Sequence, residues 1–220
     1  MTNPLALQRL LTWLSPAFPV GSFAWSAGLE TAIATGIVTD ATTLEDWIAA
    51  ALHHGGIRTD AILLAAAHHV HADAAQLEGI AELCLALAVS RERHDELTIT
   101  GASFVKALAA WPSAVLQRLP SPCPYPIVVG AAAADHDIGL GDTLRAFLTA
   151  LVHAQVSVAV RLVPLGQTDG LTVMRALEPG IAALAEFAAA ASLEDLGSIG
   201  YAADIAQMRH ETLEPRIFRS

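Results

Sequence analysis

Apolar residues recur at helical spacing along almost the whole chain, and proline and glycine mark the breaks. In residues 5–14 leucine returns at Leu7, Leu10, Leu11 and Leu14, and the run stops at Ser15-Pro16. Pro16 and Pro19 fix φ and remove backbone donors, so residues 15–20 lie outside any regular helix. Gly21 relieves that restriction, and Ser22 is placed to cap a helix that begins at Phe23 and ends near Gly36. In that helix Phe23, Ala27, Glu30 and Ala34 share one face. Gly28 gives up roughly 1 kcal/mol of helix propensity, which a closely packed neighbouring backbone makes tolerable. Thr42 with Glu45 forms a capping-box pattern before Trp47, Ile48 and Leu52, and that helix runs to Gly55-Gly56.

The same pattern predicts a helix over 60–70, a long helical region over 74–97, and after a bend another over 98–111 that Pro112 ends. Residues 112–126 hold Pro112, Pro120, Pro122, Pro124 and Pro126 and read as an irregular connector. Ile127-Val128-Val129 suggests a strand, but the alanines that follow and the lack of a partner strand favour helix. Asp142 is placed to cap a long apolar helix to Leu162, Gly166 breaks it, and Thr168-Asp169 start another that Pro179 interrupts and that resumes to Ala191. A last helix covers 201–213, and Pro215 releases a short tail. The connector is too short and apolar to separate independent units, and no internal repeat appears. The expectation is an all-α, single-domain helical bundle of roughly ten helices over 1–220, with a flexible C-terminal tail at 214–220.

Composition narrows the function. Hydrophobic residues make up 54% of the chain, and the mean hydropathy of +0.48 is high enough to raise a membrane reading. The best uncharged run, between Arg145 and Arg161, has about 15 residues against the roughly 20 needed to span a bilayer. A chain without a membrane segment, with excess apolar surface, is therefore expected. The net charge of −10 and the single lysine, Lys106, argue against nucleic acid, which needs clustered cations. Cys84 and Cys123 form no disulfide framework and suit a reducing compartment. The N-terminus has no basic region ahead of an apolar run, so a cytoplasmic location is expected.

Nine histidines invite a metal reading, with His68, His69 and His71 close together and His53 and His54 nearby. Zinc-type pairs need i and i+4 on one helical face. Here the spacings are adjacent, i+2 or i+3, and His68 with His71 is the one pair able to share a face. Solvent-facing or helix-end histidines are the simpler reading. Asp135-His136-Asp137 resembles an acid–base cluster, but neighbouring side chains diverge, so a loop or helix end fits better. Cys123 has no nearby histidine to activate it. Walker, nucleophile-elbow and His-Glu-x-x-His motifs are all absent from the sequence, and Gly139-Leu140-Gly141-Asp142 is a loose match at best to an anion-binding helix start. No catalytic residue, metal ligand or cofactor is assigned. The tail Arg216-Ile217-Phe218-Arg219-Ser220 combines cations with an aromatic, residue types that anchor interfaces.

Several blocks resemble one family in order and spacing. The segment Ser-Pro-Ala-Phe-Pro-Val-Gly-Ser-Phe-Ala-Trp-Ser-Ala-Gly-Leu-Glu at 15–30 is similar to the signature of the UreF family, accessory proteins that help deliver nickel to apo-urease. Arg91-Glu92-Arg93 and Gly101-Ala102-Ser103-Phe104 follow. Then come Pro126-Ile-Val-Val-Gly130, Arg161-Leu-Val-Pro-Leu-Gly-Gln167, and the C-terminal Ala203-Asp-Ile-Ala-Gln-Met-Arg-His-Glu211 with Arg216-Ile-Phe-Arg-Ser220. The resemblance implies a non-enzymatic, all-helical chaperone that forms a homodimer, binds UreD (UreH in some systems) and recruits the GTPase UreG to apo-urease. It also implies that partner-binding residues are Pro19, Gly21, Ser22, Phe23, Ser26, Gly28, Glu30, Gln167, Arg216, Phe218 and Arg219. Arg216 is expected to hold the 19–26 loop. Phe23 stands where some members carry Tyr, so a contact with Arg216 would be cation–π or absent. Three alternatives stand beside this: a nickel carrier using His53, His54, His68, His69 and His71, a helical enzyme centred on 135–137, and a helical adaptor outside urease maturation.

Overall fold

The computed structural model describes residues 4–220 and contains ten α-helices, with no strand among those residues. All-α is therefore the fold class. At its centre α4 (Gly56–His69) crosses α7 (Tyr125–Asp135). Ala61, Ile62, Leu63, Leu64, Ala65 and Ala67 of α4 are all buried, as are residues 126–133 of α7. Helix α7 is apolar on every side and has to lie inside the protein, and α4 meets it there with its buried stretch from Asp60 to Ala65. The 127–134 stretch is thus helix, as its alanines imply.

Around that pair stand α3 (Ala41–His54), α6 (Arg91–Leu108), α8 (Leu140–Leu162) and α9 (Gln167–Ala190). Helix α1 (Pro4–Trp13) lies on α8, α2 (Leu29–Ala34) on α8 and α10 (Tyr201–His210), and α5 (Ala74–Ala86) on α4 and α7. Helix α8 extends past Arg145 and Arg161, so it is longer than its uncharged run, and by length and composition alone it is able to cross a membrane. In this fold its Leu144, Phe147, Leu148, Val152 and Val156 are core residues, which accounts for the apolarity.

The helix limits depart from the sequence pattern where caps and tertiary packing decide. Helix α3 is capped by Asp40, whose carboxylate accepts the Thr43 N–H at 2.9 Å while the Thr43 hydroxyl accepts the Asp40 N–H at 3.1 Å. Thr42 and Glu45 do not form that box. The 74–97 region splits at Ser90, whose hydroxyl accepts the Arg93 N–H at 3.0 Å and so starts α6 at the charged run instead of ending α5 there. Pro124 and Pro126 open α7 rather than belonging to the connector, a place where proline loses no helical hydrogen bond. Helix α8 starts at Leu140, with Asp142 inside its first turn. Helix α9 runs straight through Pro179. Burial of Leu177 and Ile181 on either side, with packing against α3, α4 and α8, offsets the roughly 3 kcal/mol that an internal proline costs. The last helix stops at His210, three residues short of the expected end, because the chain turns there to bring the tail across α6 and α2.

Candidate functional site

The 15–30 segment is irregular for longer than its pattern suggests. Ser22–Ala24 form a single 3-10 turn, Trp25 is extended, and α2 begins at Leu29, so Ser22 does not cap a helix from Phe23. The reversal into α2 passes through Ala27 at φ 50° and Gly28 at φ 81°. A left-handed alanine costs on the order of 1–2 kcal/mol, so surrounding contacts must hold the turn in place. Gly28 is needed twice over. A Cβ there would be 2.8 Å from the Gln207 nitrogen and 3.1 Å from the Ala203 oxygen of α10. The close backbone approach that its helix-breaking character suggested is present.

The contacts that hold this turn come from the tail. Ser26 donates its N–H to the Ser220 carbonyl at 2.8 Å, and its hydroxyl also reaches that oxygen. Ala27 N–H meets the Ser220 hydroxyl at 3.1 Å, and Arg219 N–H meets the Ala24 carbonyl at 2.8 Å. The Arg219 guanidinium lies 5.7 Å from the Trp25 ring centroid. Phe218 is 5% exposed and packs into the core, while Ile217 beside it is 76% exposed. The segment expected to be a flexible tail is, in this structure, docked along the loop.

Beneath the tail lies a buried charged hub. His210 is 0% exposed and stands between two carboxylates, with Nε2 2.8 Å from Glu30 Oε2 and Nδ1 2.8 Å from Glu92 Oε2. Glu30 also accepts the Ile217 N–H at 2.7 Å and the Phe218 N–H at 3.0 Å. Glu92 accepts Arg216 Nη1 at 2.6 Å. Both histidine contacts are hydrogen bonds when two protons are shared among the three groups, as in an imidazolium between two carboxylates. Two carboxylates, an imidazolium and a guanidinium then sum to zero charge, the condition under which buried ions are tolerable. The hub ties α2, α6, α10 and the tail together. Its role is structural: every acidic oxygen is engaged and none is left facing a substrate cavity.

Arg216 does not approach Phe23, so the contact weighed between them is absent. Its partner is Glu92, and it steadies the loop indirectly, through the hub. The Phe23 ring instead faces Arg161, 5.9 Å from its guanidinium carbon, and His153, with ring centroids 6.5 Å apart. Gln167 lines the same shallow depression as His153 and Arg161. Of the residues assigned to partner binding, Pro19, Gly21, Gln167, Arg216 and Arg219 are exposed, and Ser22 and Phe23 are partly so. Ser26, Gly28, Glu30 and Phe218 are buried and support that surface from beneath. Sequence reasoning assigned no role to Glu92 or His210. Both lie in motif blocks, but each stands among charged and polar neighbours, Arg91 and Arg93 around Glu92 and Arg209 and Glu211 around His210, so nothing local set them apart.

A second buried ion pair joins α4 to α6. Arg93 Nη2 is 2.5 Å from Asp60, and its Nη1 is 2.7 Å from Glu96. Burial pushes the Asp60 carboxyl above the ordinary carboxylate range against the opposing pull of Arg93. Burial also disfavours the Arg93 charge, but Asp60 and Glu96 hold it firmly protonated. Among the described residues no three His, Cys, Asp or Glu side chains are grouped so that they could hold a metal ion. His68 is committed to the Ile138 carbonyl at 2.9 Å and His71 to the His68 carbonyl at 3.1 Å. Burial raises both thiols, Cys84 beyond the physiological range and Cys123 to about 12, so neither is a ready nucleophile.

The UreF family model matches residues 38–178. A urease accessory protein UreF of Rhizobium etli is 51% identical over 215 residues, covering 98% of this chain and 96% of that protein. Proteins of the same name from Rhodopseudomonas palustris and Agrobacterium fabrum are 49% and 47% identical, each again covering 98% of this chain. The chain belongs to the UreF family of urease accessory proteins, a family of chaperone type and not of enzymes.

Proposed function

We propose that this chain is a scaffold in urease maturation. As a homodimer it binds UreD (or UreH), recruits the GTPase UreG and regulates it, so that nickel is inserted into apo-urease. The observation that carries this reading is the docked tail. Residues 216–220 and the 19–26 loop form one exposed strip built on a buried, charge-balanced hub, with Pro19, Gly21, Ser22, Phe23, Arg216 and Arg219 at its surface. A strip supported so rigidly loses little conformational freedom when a partner docks, which favours affinity. Tyr201, Ile205 and Met208 project from one face of α10 with 68%, 48% and 51% exposure, and Ile217 of the tail is 76% exposed. Apolar area of this kind on an accessory protein fits a protein partner. The nickel is cargo here, and no resident metal or cofactor is required. The location consistent with this role is the cytoplasm.

The test is complementation. A urease-positive host lacking its own UreF is expected to regain urease activity, with nickel in the purified urease, when this chain and its cognate UreD and UreG are supplied. Nickel-free urease despite soluble expression of all three proteins would overturn the proposal.

A further inference from the structure

We propose that Arg9 and His136 form a proton-sensitive latch that holds α1 against the body of the protein and loosens it under acid. Arg9 Nη1 lies 3.1 Å from His136 Nδ1. A guanidinium is only a donor, so this contact is a hydrogen bond only while Nδ1 keeps its lone pair. A proton on Nδ1 replaces an acceptor with a second positive donor and turns attraction into repulsion. The ring is also the packing partner of the next turn of α1. Trp13 is 1% exposed and stands edge-on to His136 with centroids 5.2 Å apart, while its other faces meet Phe104 and Trp111.

The charged and titratable groups around His136 come from several parts of the fold. Arg9 faces it from α1. Asp135 and Asp137 flank it at the end of α7, and Asp135 is engaged by Arg118 at 3.4 Å and by the Val115 N–H at 3.2 Å. From α4, His68 holds the Ile138 carbonyl two residues on, and His71, in the turn after α4, acts on Asp135. The Trp111 backbone also acts on the ring. Burial first, and Arg9 second, depress the His136 pKa below its ordinary 6.5 against the pull of the two aspartates. The sign follows: the docked state disfavours the proton, so α1 is fully held above about pH 6.5 and is progressively freed as pH falls below that value. Helix α1 is one wall of a surface groove of about 780 Å³ whose other walls come from α8 and α9, so its release would dismantle that groove.

The experiment is amide exchange, corrected for intrinsic pH dependence, on peptides covering α1, α4 and α8 at about pH 7.5 and about pH 5.5. In the native chain α1 is expected to lose protection several-fold at the lower pH while α8 keeps its own. His136→Asn offers Arg9 an acceptor that cannot be protonated, and its α1 should stay protected at both values. Arg9→Met should leave α1 fast at both. Peptides from α4 report any separate effect of His68, whose own pKa burial also lowers. An α1 indifferent to pH in the native chain would overturn the latch, as would an equal acid response in His136→Asn.

Discussion

His210→Ala is expected to cost about 3–5 kcal/mol, the usual loss when one partner of a buried ion pair is removed. For a chain of this size that corresponds to a fall in Tm of roughly 6–20 °C. The substitution leaves Glu30 and Glu92 buried with no imidazole between them, and Arg216 compensates for Glu92 alone. Glu30 keeps the Ile217 and Phe218 amides, but it then carries an unbalanced charge that favours solvent. The tail should therefore lift away, and residues 211–220 should become open to proteolysis under native conditions. A paired substitution sharpens the expectation. His210→Ala with Glu92→Ala removes one of the stranded charges and should cost less than the sum of the two single changes. A Tm within about 2 °C of the native value, with the tail still protected, would mean that the hub does not hold the tail.

The second large effect is expected at the crossing of α4 and α7. A Cβ on Gly130 would press into the Leu64 carbonyl oxygen, and the atoms that would have to move are backbone atoms of α4 at the centre of the core. Gly130→Ala should therefore cost about 3 kcal/mol, at the top of the usual range for overpacking, despite alanine's better helix propensity. Gly79 makes the contrast. It lies in α5 with open space where a Cβ would stand, and Gly79→Ala should stabilise by about 0.5–1 kcal/mol. Chemical denaturation of both variants measures the difference. Equal effects of the same sign would show that the α4–α7 contact is looser than this packing implies.

The helical architecture could be read from the sequence because apolar spacing and proline positions are local properties. Helices α3, α4, α7 and α8 fall within a few residues of where the pattern puts them. The exceptions share a cause in long-range contacts. Pro179 fails to break α9 because Leu177 and Ile181 are buried against other helices. The α5–α6 boundary falls at Ser90 because a serine cap outweighed the continuity of the apolar pattern. The candidate site was visible as motif blocks whose roles were not. Ser26, Gly28, Glu30 and Arg216 could be named, but the partner of Arg216 lies 124 residues away, at Glu92, and no local periodicity encodes that pairing. The geometry adds how the residues named by the resemblance are placed: Ser26, Gly28, Glu30 and Phe218 lie buried beneath the strip, Pro19, Gly21, Ser22, Phe23, Arg216 and Arg219 lie at its surface, and Gln167 lies apart from it in the depression beside Arg161.

The measurement that bears most directly on the central claim is co-purification of this chain with tagged cognate UreD and UreG, using the intact chain, a chain ending at residue 210, and His210→Ala. The intact chain is expected to capture both partners. The shortened chain and His210→Ala should lose them together, because each removes the docked strip while leaving the α4–α7 core in place. Capture of UreD and UreG by all three alike would contradict the account and move the partner surface elsewhere on the bundle.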